Sequence, residues 1–163
     1  MRNPLKNEAN SYHNQSEVLN RMVIMGVDFG DVRTGLAVCD KYEMMASGVG
    51  CVKGGFRGTL EAVAARAAEL SAELIVVGNP VNMNGEEGER SAKCRDFAAE
   101  LEKRCGIKCV MYDERLTSVS AHRYLHESGV DGRRHRKYVD ELSAKLILED
   151  YLASRRNKSA PRP

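Results

Sequence analysis

Three acidic residues stand where a carboxylate is costly unless something compensates its charge. Asp28 ends a short apolar run, Glu114 follows another, and Asp140 opens the last predicted helix. A carboxylate at the end of a buried strand needs a cation or hydrogen-bond donors beside it. Mg²⁺ prefers a few carboxylates and completes its shell with water and substrate phosphates. Together the three acids indicate a divalent-metal site at the carboxyl ends of strands, where open α/β sheets bind ligands.

Each acid also has a structural explanation. Asp28 fits a turn residue that accepts backbone N–H groups ahead of Gly30. Asp140 in a first helical turn would complement the helix dipole. Glu114 fits an ion pair with Arg115. Asp113 precedes Glu114 directly, so the sequence alone does not say which of the two is the ligand.

The elements that must position these acids follow from the apolar pattern. Three strands are predicted first, and helices and strands then alternate, which indicates an α/β fold. The expected sheet is mixed, a three-strand antiparallel meander continued by parallel strands and flanked by helices. The predicted strands cover 22–28, 34–39, 46–52, 74–77 and 107–112, and the helices 59–72, 86–105, 117–127 and 138–153. Thr59 is the expected cap of the first helix, and Gly106 and Gly129 the expected stops of the second and third.

Length and composition predict one domain. The chain has 163 residues, of which 42% are hydrophobic and 29% charged, as in a folded globular protein. We expect a flexible leader over residues 1–20, one folded domain over 21–153 and a disordered basic tail over 154–163. The polar start carries no secretory signal and no apolar run suits a membrane, so a cytoplasmic monomer or homodimer is expected.

The cysteines and histidines do not predict zinc. The five cysteines form no Cys-x-x-Cys pair, and His122 and His126, four residues apart, have no third ligand nearby. We therefore expect five reduced thiols, most of them small core residues.

Basic residues gather near the C-terminus. Residues 131–163 hold nine Lys or Arg against five Asp or Glu, a net charge of +4. Within them Arg133, Arg134, Arg136 and Lys137 form a run just before Asp140. Beside carboxylates such a run favours a nucleic-acid backbone, whereas elsewhere it is usually a solvated face.

The segment 78–85, with Gly78, Pro80 and Gly85, joins the fourth strand to the second helix. Its backbone N–H groups fit a phosphate cradle at a helix start, and equally a plain connecting loop. It lacks the Gly-Lys-Ser/Thr ending of a P-loop, which argues against nucleoside triphosphate binding.

Four ordered motifs, at residues 28–38, 78–85, 113–117 and 139–144, resemble the YqgF (RuvX) family. Its members are described as Holliday-junction resolvases and as pre-ribosomal-RNA nucleases, and the resemblance covers about residues 23–152. It implies a ribonuclease H-like fold and two-metal phosphodiester hydrolysis with Mg²⁺ or Mn²⁺.

The resemblance also implies roles for single residues. Asp28, Glu114 and Asp140 would be the catalytic, metal-binding acids, with Asp113 as an alternative. Arg33 and Arg115 would contact phosphate or hold the acids, and Gly30 and Gly35 would serve the turn and a close approach of the second strand. The chain departs from the family's usual residues at Asn79 (apolar), Glu141 (Ser) and Ser143 (Ala).

The expected function is therefore metal-dependent endonucleolytic cleavage of structured nucleic acid, foremost 5′-end processing of precursor 16S rRNA. Cleavage of four-way DNA junctions is the first alternative. A non-catalytic nucleic-acid-binding module is the second, although such a module would be marked by the loss of an acid. Sugar kinases and actin-like ATPases begin similarly but need two such domains, and this chain has one.

Overall fold

The computed structural model of the protein describes residues 21–115 and 133–159. They form one five-stranded sheet with the strand order β3-β2-β1-β4-β5. The strands are β1 (Ile24–Asp28), β2 (Arg33–Cys39), β3 (Ala46–Lys53), β4 (Leu74–Asn79) and β5 (Cys109–Asp113). The helices are α1 (Phe56–Glu69), α2 (Glu89–Cys105) and α3 (Arg133–Ser159).

The sheet is mixed, as predicted. β1, β2 and β3 form an antiparallel meander. β4 lies parallel to β1, and β5 parallel to β4. α1 connects β3 to β4, and α2 connects β4 to β5. Each helix joins two strands that run in the same direction, so both are crossover connections.

Side chains of successive strand residues point to opposite faces, so the sheet has two cores. Met25 and Val27 pack with α1 and α2 on one face. Ile24 packs with α3 on the other face. β1 and β4 are buried on both faces, which explains their continuous apolar sequences.

Glycines let α3 lie directly on the sheet. A Cβ atom at Gly35 would meet the backbone of Asp140, and one at Gly26 would meet the carbonyl of Ala144. A Cβ atom at Gly78 would meet Glu114 and Ile147. The close approach expected at Gly35 is therefore real, and the partner that approaches is α3.

Two helix starts differ from the prediction. α1 begins at Phe56 after an extended Gly55, and Thr59 is buried inside the helix with its hydroxyl donating to the Gly54 carbonyl at 3.3 Å. Thr59 is therefore not the cap, because the helix has already formed before it. α2 begins at Glu89 rather than 86, since the preceding loop closes on itself. Its predicted stop is confirmed, as Gly106 is left-handed at φ +69°.

α3 is longer at both ends than predicted. It starts at Arg133, before the expected 138, and residues 154–159, expected to be a disordered tail, are its last turns. An ion pair explains the extension at the C-terminal end, because the Arg155 guanidinium lies 2.9 Å from the carboxylate of Glu43, which is 5% exposed. Arg156 also donates to the Glu43 carbonyl at 3.0 Å.

Several predictions fall outside the described residues. These are the leader over 1–20, the helix over 117–127 with Gly129, the pair His122 and His126, and the last residues of the tail. Within residues 21–115 and 133–159, no helix is both long and apolar enough to cross a membrane.

The glycine contact with α3 makes a testable prediction for stability. Gly35→Ala should lower the free energy of unfolding by about 1–3 kcal/mol, because the added methyl meets helix backbone that cannot move aside. Gly58→Ala is the matched control, since its Cβ would have nothing within 4 Å on exposed α1. It should raise stability by about 0.5–1 kcal/mol through helix propensity. Urea melts of both variants measure the difference, and equal effects would contradict the packing.

Candidate active site

Asp28 lies at the carboxyl end of β1 and faces α3. It alternates with Gly26 and Ile24, which are on the α3 side. Its direct partner across the antiparallel pair is Gly35. On the other side, the pairing of Val27 with Val77 places Gly78 level with Asp28 one strand away, about 4.8 Å.

Asp140 reaches this end from α3. Its backbone lies against Gly35, so Asp28 and Asp140 meet at the same pair of strands. The Asp140 carboxylate is 3.8 Å from the Arg33 guanidinium and 3.7 Å from the Cys51 thiol. Asp140 is not in the first turn, since α3 begins at Arg133, and a helix-dipole role does not explain it.

Glu114 reaches the same end from the other side. It follows β5, its side chain is turned toward Gly78, and it is 3% exposed. Its backbone N–H donates to the Asn79 carbonyl at 3.2 Å, which attaches the chain after β5 to the end of β4. A surface ion pair with Arg115 is therefore ruled out for Glu114.

Asp113 instead belongs to the opposite face. Met111, two residues earlier on β5, packs on the α1–α2 side of the sheet. Asp113 points to the same side, because side chains alternate along a strand. Both its oxygens accept from Arg115, at 2.6 Å to one guanidinium nitrogen. The hydrogen bonds from Arg115 lower the pKa of Asp113. Arg115 also borders Gly85, which is left-handed at φ +85°, so this arginine joins β5 to the loop before α2.

The three acids on the α3 side fit a divalent metal by their chemistry. They are oxygen donors on one face and at one end of the sheet, the type of ligand that Mg²⁺ and Mn²⁺ prefer. In the two described ranges, no three Asp, Glu, His or Cys side chains lie close enough together to hold an ion. The Asp140 carboxylate is turned toward Arg33 and Cys51 instead.

Cys51 is a neighbour of the site that the sequence analysis missed. Burial, and then the Asp140 carboxylate, raise the pKa of its thiol, so it remains a neutral donor to that carboxylate. The pairing of Cys51 with Gly35 puts both on the α3 face. The sequence does not reveal this contact, because it depends on the pairing register of β2 with β3. All five cysteines are free thiols, as expected, with Cys39 and Cys94 fully buried.

The loop between Pro80 and Gly88 uses its own backbone donors. The N–H of Asn82 donates to the Glu86 carbonyl, the N–H of Gly85 to the Asn82 carbonyl, and the N–H of Glu86 to the Asn84 side chain. Because these groups are already bonded, the loop favours the connecting role over the phosphate cradle.

The departure at Asn79 is matched by a second polar residue. The hydroxyl of Ser91 donates to the Asn79 side-chain oxygen at 2.6 Å, and both residues are buried. A buried amide that is bonded in this way is tolerated where the family usually has an apolar side chain.

Gly30 closes the β1–β2 turn, because a Cβ there would meet the Arg33 carbonyl.

The basic run lies on the first two turns of α3, directly before Asp140 on the same helix. The side chains of Arg133, Arg134, Arg136 and Lys137 lie outside the described part of the structure. Their role therefore remains a prediction.

The comparisons with known proteins agree with this architecture. Residues 22–154 match the model of the RuvX family, described as Holliday junction resolvase. A protein of Agathobacter rectalis named "Putative pre-16S rRNA nuclease" is 40% identical over 135 residues, covering 80% of this chain and 94% of the relative. A protein of the same name from Myxococcus xanthus is 36% identical over 136 residues, covering 83% and 90%.

Among solved structures, the fold is similar to Thermus thermophilus RuvC in complex with a Holliday junction substrate. The TM-score is 0.55 at 15% sequence identity, and the match covers 83% of this chain and 96% of that chain. At this identity the likeness concerns the fold alone. The family match over most of the chain and the identity to the relatives show that this protein belongs to the RuvX family of nucleases, with a ribonuclease H-like fold.

Proposed function

We propose that this protein is a divalent-metal-dependent endonuclease that processes the 5′ end of precursor 16S rRNA. Asp28, Glu114 and Asp140 are its catalytic acids in this proposal. The observation that supports it is that the three acids lie on one face and at one end of the sheet, although they come from β1, from the segment after β5 and from α3.

Bound Mg²⁺ or Mn²⁺ would activate water and stabilise the departing oxygen of the phosphodiester. The chain's own residues hold and orient the ligands. Asp28 and Glu114 are presented from a sheet whose inner strands are buried on both faces, so their backbone is rigid. Arg33 neutralises Asp140, and its exposed part is available to a substrate phosphate.

The names of the relatives support the RNA substrate, since those proteins are called pre-16S rRNA nucleases. The four-way DNA junction is the alternative, because the family description names Holliday junction resolution. A non-catalytic module is disfavoured, since all three acids are present at the site.

Labelled pre-rRNA and a DNA junction, incubated side by side with Mg²⁺, Mn²⁺ or EDTA, test the substrate. Metal-dependent cleavage of the RNA at its 5′ side supports the proposal, and cleavage of the junction alone would overturn the substrate assignment.

The adjacent acids Glu114 and Asp113 provide a matched test of the ligand assignment. Glu114→Gln should lower the cleavage rate by at least the roughly 10–100-fold that accompanies loss of a group behind a metal ligand. Asp113→Asn should retain most of the rate, because Asp113 pairs with Arg115 on the opposite face. Asp28→Asn should abolish cleavage, as it keeps size and removes the ligand charge. A wild-type rate in the Glu114→Gln protein, or an inactive Asp113→Asn protein, would indicate that Asp113 is the ligand and Glu114 is not.

The basic run on α3 provides a second test. Replacing Arg133, Arg134, Arg136 and Lys137 by Ala should weaken RNA binding and reduce the slope of log K against log salt by about 0.7–0.9 for each lost phosphate contact. The control is Lys103→Ala with Arg104→Ala, two cations that pair with carboxylates near the end of α2. Fluorescence anisotropy at several salt concentrations measures both. An unchanged slope would indicate that the basic run is a solvated helix face and does not bind the RNA backbone.

A further inference from the structure

Three residues form an exposed corner next to the acids. We name Lys53, Phe56 and Arg57 the β3–α1 corner, because Lys53 ends β3 and the other two begin α1. Lys53 is the direct cross-strand partner of Arg33, whose guanidinium is 3.8 Å from Asp140. Paired residues of an antiparallel ladder point to the same face, so the corner begins one strand away from the proposed ligands.

The two cations of the corner have no acidic partner. Lys53 and Arg57 are exposed, and neither forms an ion pair with any residue of the ranges 21–115 and 133–159. Other cations of α1 and α2 do pair with carboxylates, as Arg66 does with Glu69 and Arg104 with Glu61. Two positive charges without an acidic partner in the described ranges attract a phosphate backbone, and they lie at the same end of the sheet as the proposed ligands.

An aromatic ring belongs to the same corner, on the α1–α2 side of the sheet. Phe56 is 41% exposed, although it is large and apolar. Its inner side meets Phe29 and Phe97 edge-on, at centroid distances of 6.0 and 5.9 Å. Phe29 directly follows Asp28 and stacks on Phe97 at 4.1 Å. The buried rings hold Phe56 in place, so its exposed part is a fixed apolar surface at the catalytic end of the sheet.

We infer that the β3–α1 corner binds an unpaired stretch of the nucleic-acid substrate next to the cleaved phosphate. A base stacks on Phe56, and the flanking phosphates lie against Lys53 and Arg57. An aromatic ring accepts any unstacked base, because every base has a flat π surface. The corner therefore selects single-stranded over fully paired substrate, with little preference among bases. This inference rests on the proposed function, since it places the corner beside the cleaved bond.

Tryptophan fluorescence tests the stacking without any cleavage. The sequence contains no tryptophan, so Phe56→Trp introduces a single reporter into the full chain. In an Asp28→Asn background with EDTA, a single-stranded RNA oligonucleotide should quench this fluorescence to saturation, and a blunt duplex should not. Tyr42→Trp is the control, because Tyr42 is 54% exposed in the β2–β3 hairpin at the other end of the sheet. Its fluorescence should not change.

Affinity measurements separate stacking from charge. Phe56→Ala should weaken single-strand binding by about 5–150-fold, the loss expected for one stacked base, and leave duplex binding unchanged. Phe56→Leu keeps an apolar side chain against Phe29 and should show nearly the same loss, so it remains informative if the alanine variant folds poorly. Lys53→Ala with Arg57→Ala should reduce the salt slope for single strands by about 0.7 for each contact.

The outcomes distinguish this inference from the proposed function. Unaltered single-strand affinity in the Phe56→Leu protein, or equal quenching from positions 56 and 42, would overturn the corner as a binding surface. Binding at the corner by a wild-type protein that cleaves neither RNA nor DNA would overturn the proposed function and leave the corner standing. Quenching by an acidic peptide but not by RNA would identify a protein partner instead, and would also overturn the inference.

Discussion

The direct contact between α3 and the glycine-lined face of the sheet is the constraint on which the site depends. Gly26, Gly35 and Gly78 have no side chain, so the helix lies nearer to the strands than any larger residue would allow. That approach carries the Asp140 backbone onto the strand paired with Asp28. Interiors are packed too tightly for a methyl group to be absorbed there without displacing the helix. The placement of Asp140 beside β2 and the packing of the second core therefore rest on the same contact.

At this end of the sheet, two arginines on opposite faces pair with different carboxylates. Several carboxylates on one face repel one another in the absence of metal, and a nearby cation reduces that repulsion. Arg33 supplies the cation for Asp140, whereas Arg115 is occupied by Asp113 on the other face. A substrate phosphate or a metal ion would compete for the same groups.

Two polar pairs far apart in sequence stabilise the frame around the site. Ser91 bonds the buried amide of Asn79 where β4 ends, close to the attachment of Glu114. Glu43 is held by Arg155 at the opposite end of the sheet, and this pair keeps the end of α3 helical. A buried polar group left without its partner is costly, so each pair ties a loop to a helix.

The sequence determined the kind of elements, their order and the mixed sheet, because apolar runs, glycines and alternation are local signals. It also singled out Asp28, Glu114 and Asp140 as candidate ligands, because ordered motifs can be read without coordinates, and their catalytic role stays a prediction. It did not separate Glu114 from Asp113, because one residue's shift along a strand reverses the face and only packing fixes that register. It placed both ends of α3 wrongly, and at the C-terminal end the helix is extended by a partner more than a hundred residues away, Arg155 with Glu43. The tertiary structure alone decided which acids share a face: the register of β5 turns Glu114 to the α3 side, and the glycine backbone lets α3 bring Asp140 against β2. Both depend on contacts between distant residues, which no local pattern records.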